Sequence, residues 1–119
     1  VNNMVEIKEM SREFTKVEKY LMTTAPDIEP LKNIDDGQSI EVDGFIIFND
    51  IKDNGDVQEI VSIITPDKKV YSGQSATFRQ SLKDIESVMD DEKFSIIKIS
   101  GKTKAGRDYI NCTLDVSNI

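Results

Sequence analysis

The chain has 119 residues, 38% hydrophobic and 31% charged, which is one domain's worth of sequence and enough to bury a core without metal or disulfide staples. Acidic residues outnumber basic ones 22 to 15, for a net charge of -7, so a general nucleic-acid or membrane-surface coat is excluded, because phosphate binding draws on Lys and Arg. A local basic groove on an acidic body remains open, since salt screens fields beyond about 8–10 Å.

Val1 to Met10 is polar and acidic, without the apolar core of a secretory signal, and no apolar run reaches the roughly 18 residues of a membrane span. The cytoplasm, with no membrane partner, is the expected location. Ser11 to Met22 places Phe14, Val17 and Leu21 on one face and predicts a short amphipathic helix with Ser11 as its cap. Thr23 to Pro30 carries two prolines and ends that helix. An extended connection follows through Gly37, either covering one end of the core or serving as a partner-binding arm. Residues 1–37 thus form a helix and arm, and residues 38–119 the main domain.

Beyond Gly37 the period changes to two. Ser39 to Asp50 reads as a long first strand, with Gly44 marking a bulge or bend. Asn54-Gly55 is a hairpin signal, and Val57 to Thr65 is the β-branched return strand. Pro66-Asp67-Lys68-Lys69 turns the chain into a short third strand, Val70 to Ser72. Ser75 to Met89 is helical again: Ser75 is the cap, and Phe78, Leu82, Ile85 and Met89 form one apolar stripe. Phe94 to Val116 closes the chain as two strands around Lys104-Ala105-Gly106, where Gly106 can take the positive φ of a tight turn. Five strands with a helix between the third and fourth predict a mainly β fold of the OB type, a five-stranded Greek-key barrel with an extra N-terminal helix. An open antiparallel sheet with a helix on one face is the competing architecture.

From Lys93 to Arg107 the charged residues are Lys93, Lys98, Lys102, Lys104 and Arg107, uninterrupted by any acid. In an OB-fold the binding groove crosses strands two and three and is flanked by the loops joining strands one to two and four to five. Lys102, Lys104 and Arg107 lie in the second of those loops and are the leading candidates for phosphate contacts. Lys98, out of phase with Ile97 and Ile99, is expected on the sheet's outer face, extending the track; Lys68 and Lys69 mark its other end. Solvated lysines that keep strand edges apart are the plain alternative. Tyr71 and Tyr109 are the candidate stacking rings, with half-buried tyrosines as the alternative, and Phe48 is assigned to the core. The loop Lys52 to Asp56 opposes this scheme, because Asp50, Asp53 and Asp56 would repel phosphate.

Catalysis is not expected. The chain has no histidine, and its single cysteine, Cys112, sits in an apolar-alternating strand as a buried small hydrophobe. Ser-His and Cys-His pairs and ordinary zinc sites are therefore absent. Asp50-x-x-Asp53-x-x-Asp56 departs from calcium-loop spacing, and no phosphate-cradling glycine motif occurs, so no cofactor or metal is expected.

The segment GKTKAGRDYINCTLDV, preceded by YSGQSATFRQSLKDI, resembles the short single-stranded-DNA-binding proteins of phages and conjugative elements of Gram-positive bacteria. In those proteins a Ser-x-x-Phe helix start precedes a Lys-rich Ala-Gly-Arg hairpin. The likeness covers roughly residues 38–116 and leaves the N-terminal helix out. It implies an OB-fold that binds single strands without sequence preference, protecting or organising single-stranded DNA in phage or plasmid replication and transfer. RNA is the alternative single strand, and exposed strand edges make a homo-oligomer the expected assembly. The rival from a different class is a non-catalytic interaction module, whose acidic residues Asp27, Glu29, Asp35, Asp36, Glu41 and Asp43 would dock on a basic replication or DNA-transfer protein.

Overall fold

Alternating apolar residues fold into strands where the period of two places them. In the computed structural model, which describes residues 4–117, these are β3 (Ser39–Val42), β4 (Gly44–Ile51), β5 (Val57–Ile64), β6 (Val70–Gly73), β7 (Phe94–Lys102) and β8 (Asp108–Leu114). Residues 1–3 and 118–119, the outer ends of the two expected segments, lie outside the described residues. Gly55 and Gly106 adopt φ of 90° and 83° at the tips of the β4–β5 and β7–β8 hairpins, as turn chemistry requires. Helix α2 (Ala76–Met89) starts where expected: the Ser75 hydroxyl accepts from the Phe78 amide at 3.1 Å.

The N-terminal segment differs from expectation. Met4–Met10 is a strand, β1, pairing antiparallel with β4. Its charged residues Glu6, Lys8 and Glu9 mask the alternation, and a bulge between Ile7 and Glu9 breaks the register. Helix α1 (Lys16–Thr23) begins later than predicted. Its cap is Thr15, not Ser11: the Thr15 hydroxyl accepts from the Glu18 amide at 3.1 Å, and the Glu18 carboxylate accepts from the Thr15 amide at 2.9 Å. Ser11 is held instead at the sheet, where its hydroxyl accepts from the Phe45 amide at 2.9 Å.

The expected long first strand bends at Asp43-Gly44 and changes sheets there. β4 joins the five-stranded sheet of order β1-β4-β5-β6-β2, in which β2 (Glu29–Pro30) runs parallel on the edge of β6, while β3 joins the three-stranded sheet β3-β7-β8. Gly44 is required because a Cβ there would lie 2.6 Å from Cζ of Phe14. The protein is mainly β, with two sheets and two helices. The sheets do not close on each other: among the described residues no ladder joins β6 to β8.

Two apolar clusters hold this arrangement. Between the sheets, Phe45, Ile47, Val61 and Ile63 meet Ile40, Val42, Ile96 and Cys112, with Phe78 and Leu82 of α2 below. Leu31 and Ile34, from the connection after α1, are buried in the same cluster, so that segment covers the core by contributing to it. On the other face of the larger sheet, Ile46, Phe48, Ile64 and Val70 pack under Phe14 and Met22. Phe48 is core, as assigned. Among the described residues no helix is long and apolar enough to cross a membrane.

Candidate nucleic-acid interface

The β7–β8 hairpin sets its tip with three bonds. The Gly106 amide donates to the Thr103 carbonyl at 2.9 Å, the Thr103 amide to the Arg107 carbonyl at 2.9 Å, and the Arg107 amide to the Thr103 hydroxyl at 3.1 Å. Lys104 and Arg107 therefore stand exposed on a constrained loop, with no ion-pair partner among the described residues. Just below, Lys102 lies 2.9 Å from Asp108. That pair is exposed on both sides, a class worth about 0–1 kcal/mol and weakened further by salt.

Below the hairpin an open cleft of about 1140 Å³ occupies the gap where the sheets fail to meet. One wall carries Gly101, Lys102 and Tyr109; the other carries Ile28, Pro30 and Lys32 of the connection. Ser72 and Gly73 of β6 and the first turn of α2 complete the lining, with Ile60 of β5 nearby. Its cations are Lys32, Lys98 and Lys102, against the single acid Asp108. Two of these charges are paired, Lys102 with Asp108 and Lys98 with Asp36 just outside the lining, so the excess positive charge of the cleft rests on Lys32. Tyr109 is 37% exposed and half-open to this space.

The structure does not bring all eight candidate residues together. Lys98 is a correction: it is out of phase with Ile97 and Ile99, but the face it shares with Ile96 is the inner one, and it is 5% exposed. Its ammonium donates to the Ile34 carbonyl at 2.7 Å and lies 3.2 Å from Asp36, so its charge is spent on clamping the connection to β7. Asp36 also accepts from the Ser100 hydroxyl, and that bond, followed by Lys98, holds its carboxyl below the usual range. Tyr71 is a second correction. Opposite Ile63 in the β5–β6 register, it faces the main core and borders a separate groove with Gln38, Glu41 and Lys69, away from Tyr109. Lys68 takes a left-handed turn conformation (φ 69°) and reaches Glu18 at 3.2 Å. Lys68 and Lys69 do not line the cleft that holds Tyr109.

Lys68 belongs to a different constellation. Glu18 also receives Arg12 at 3.3 Å, and Arg12 lies 2.8 Å from Asp43 while its guanidinium sits 4.2 Å from the centroid of the Phe14 ring. The Thr15 amide first, and then Lys68 and Arg12, hold the Glu18 carboxyl at about 2. Two of the six acids proposed as a docking face, Asp36 and Asp43, are thus engaged internally. Cys112 is buried as expected, and desolvation pushes its thiol up to about 12.

Lys32, Ile28 and Ile60 line the cleft without any local sequence signal. Nothing in the sequence signals that residues 28–32 would run beside β6 and form a wall, because a two-residue parallel pairing has no periodicity to detect. Among the described residues no group of three or more His, Cys, Asp or Glu is gathered as a metal site would need. No family model, curated protein or solved structure matches the chain.

Proposed function

We propose that this protein is an OB-type domain that binds single-stranded nucleic acid without sequence preference, along the cleft between β6 and the β7–β8 hairpin. The observation that carries this is the pairing of charge and ring in one open space: Lys102 and Tyr109 on one wall, Lys32 on the other, and a single acid among the lining residues. A single strand needs positive charge to follow its backbone and an exposed ring for its bases. Lys104 and Arg107, on the loop directly above Lys102 and Tyr109, extend the charged track.

The strand pairing supports the OB assignment. If β3 and β4 are taken as one bent strand, it pairs with β5 and β7, β5 pairs with β6, and β7 with β8, with α2 between β6 and β7. This order matches what an OB barrel left open between its third and fifth strands would have, which supports the reading. The groove expected across strands two and three is shorter than in a bare barrel, because α1 and Phe14 cover the Ile64–Val70 end of that face. The acidic Asp53–Asp56 turn is not among the residues lining the cleft, so a strand bound there bypasses it.

The test is fluorescence anisotropy of labelled oligo-dT of about 30–60 nucleotides against matched duplex, across a salt series. Tight single-strand binding that weakens as salt rises, with duplex much poorer, is the expected result. A folded protein that binds neither at low salt overturns the proposal and returns attention to the acidic surface and a protein partner. DNA is the expected substrate in the resemblance drawn above, and an RNA oligomer of the same length measures that preference.

A further inference from the structure

We infer that Gly101 is a positioning residue that turns the Tyr109 wall of the cleft into a stacking shelf for a nucleobase. The inference rests on the single-strand binding proposed above and assigns a specific contact within it. Gly101 and Tyr109 are directly opposite each other in the β7–β8 register. A Cβ at position 101 would lie 2.7 Å from the Tyr109 hydroxyl oxygen, 2.9 Å from Cζ and 3.1 Å from Cε1. The outer end of the ring thus fills the space a side chain at 101 would occupy, leaning on the β7 backbone.

That placement decides what the ring can do. One side of it rests on β7, the residue is 37% exposed, and it lines the same cleft as Ile28 and Pro30. No hydrogen bond to its hydroxyl appears among the described residues, so backing by the glycine, and not a polar tether, keeps the ring in place. A supported ring facing apolar residues suits a flat, aromatic ligand, and Lys102 beside it suits the phosphate that such a ligand carries in a single strand. Because every base has a π-face, the shelf accepts any sequence. A ring that merely fills the gap left by a strand glycine would stabilise the hairpin and do nothing else.

The test compares binding of labelled (dT)30 with binding of an equally long strand made of abasic sites, which keeps the phosphates and removes the bases. Wild type is expected to prefer (dT)30 about tenfold, the scale of one stacked base. Gly101→Ala and Tyr109→Ala should each remove that preference while leaving abasic-strand affinity and its salt slope unchanged. The double variant should bind (dT)30 no worse than Tyr109→Ala alone, since the glycine acts only through the ring. Tyr109→Phe, which keeps the ring, should bind as wild type.

Undiminished preference for (dT)30 in a folded Gly101→Ala variant overturns the inference. Equal losses on both strands, or additive losses in the double variant, overturn it as well and assign the pair a purely structural role. Wild type that binds (dT)30 and the abasic strand alike removes the shelf but leaves the proposed function standing. Failure of wild type to bind (dT)30 at all removes both.

Discussion

Two regions that both border β6 use basic residues in opposite ways. In the seam between the N-terminal segment and the larger sheet, Arg12 and Lys68 both converge on Glu18, Arg12 also bonds Asp43, and Phe14 fills the space that Gly44 leaves open. In the cleft and its hairpin, Lys102 has one fully exposed partner, and Lys104 and Arg107 have none among the described residues. The seam's charges are satisfied and hold the fold together. The hairpin's charges stabilise almost nothing, which leaves them available for a polyanion. A lysine's place in the contact network, more than its place in a basic run, separates the two uses.

Breaking the seam should produce the largest effects. Phe14→Ala removes a buried ring and should cost about 3–5 kcal/mol in urea unfolding, with loss of the α1 contacts to the sheet. Retention of full stability would mean that the N-terminal segment is only loosely attached. Next in size, Gly44→Ala drives a methyl into Phe14 and should cost about 1–3 kcal/mol, while Gly44→Ala in the Phe14→Ala background should cost much less.

Glu18→Gln keeps an acceptor for the Thr15 amide but gives up the charge that meets Arg12 and Lys68, and should cost about 1 kcal/mol. The same residue gives a pH signature. Its folded-state value of about 2 lies below the ordinary 4.5, so its contribution is present above about pH 4.5 and is lost as pH falls toward 2. Wild-type stability should therefore decline across that interval more steeply than the stability of Glu18→Gln, as measured by unfolding at a series of pH values. Parallel curves would show that Glu18 is not held as the contacts suggest.

The smallest stability effect belongs to the hairpin, and it sharpens the contrast. The triple variant Lys102→Ala, Lys104→Ala, Arg107→Ala should unfold within about 0.5 kcal/mol of wild type, because exposed charges contribute little. Its binding to oligo-dT should nevertheless weaken, and the log–log salt slope should drop by about 2, given roughly 0.7 per phosphate contact on a single strand. A large loss of stability without any change in binding would reverse the roles assigned to the two regions.

Much of the main domain was legible before folding. The period of two from Ile40 and Val42, the Asn54-Gly55 and Ala105-Gly106 turns and the Ser75 cap each depend on neighbours within a few residues and appear where they were expected, whereas Phe45 to Phe48 are all buried because β4 is covered on both faces. The Thr15-x-x-Glu18 capping box is itself a short-range signal, and it, not Ser11, sets the start of α1. β1 was hidden, since an edge strand with charges at Glu6, Lys8 and Glu9 does not alternate cleanly.

The site divides along the same line. The sequence by itself determined the basic hairpin, because its turn and its charges are local to one antiparallel pair, although the ladder runs two residues further than expected and brings Gly101 opposite Tyr109. Only the tertiary structure decided that Lys98 turns inward to the Ile34 carbonyl, that Tyr71 faces the core, that Lys68 belongs to Glu18 and that Lys32 faces Lys102 across an open cleft. For Lys98, Lys68 and Lys32 the partners lie 50 to 70 positions away, and the side a strand residue faces is settled by what packs against it, which short-range periodicity does not record.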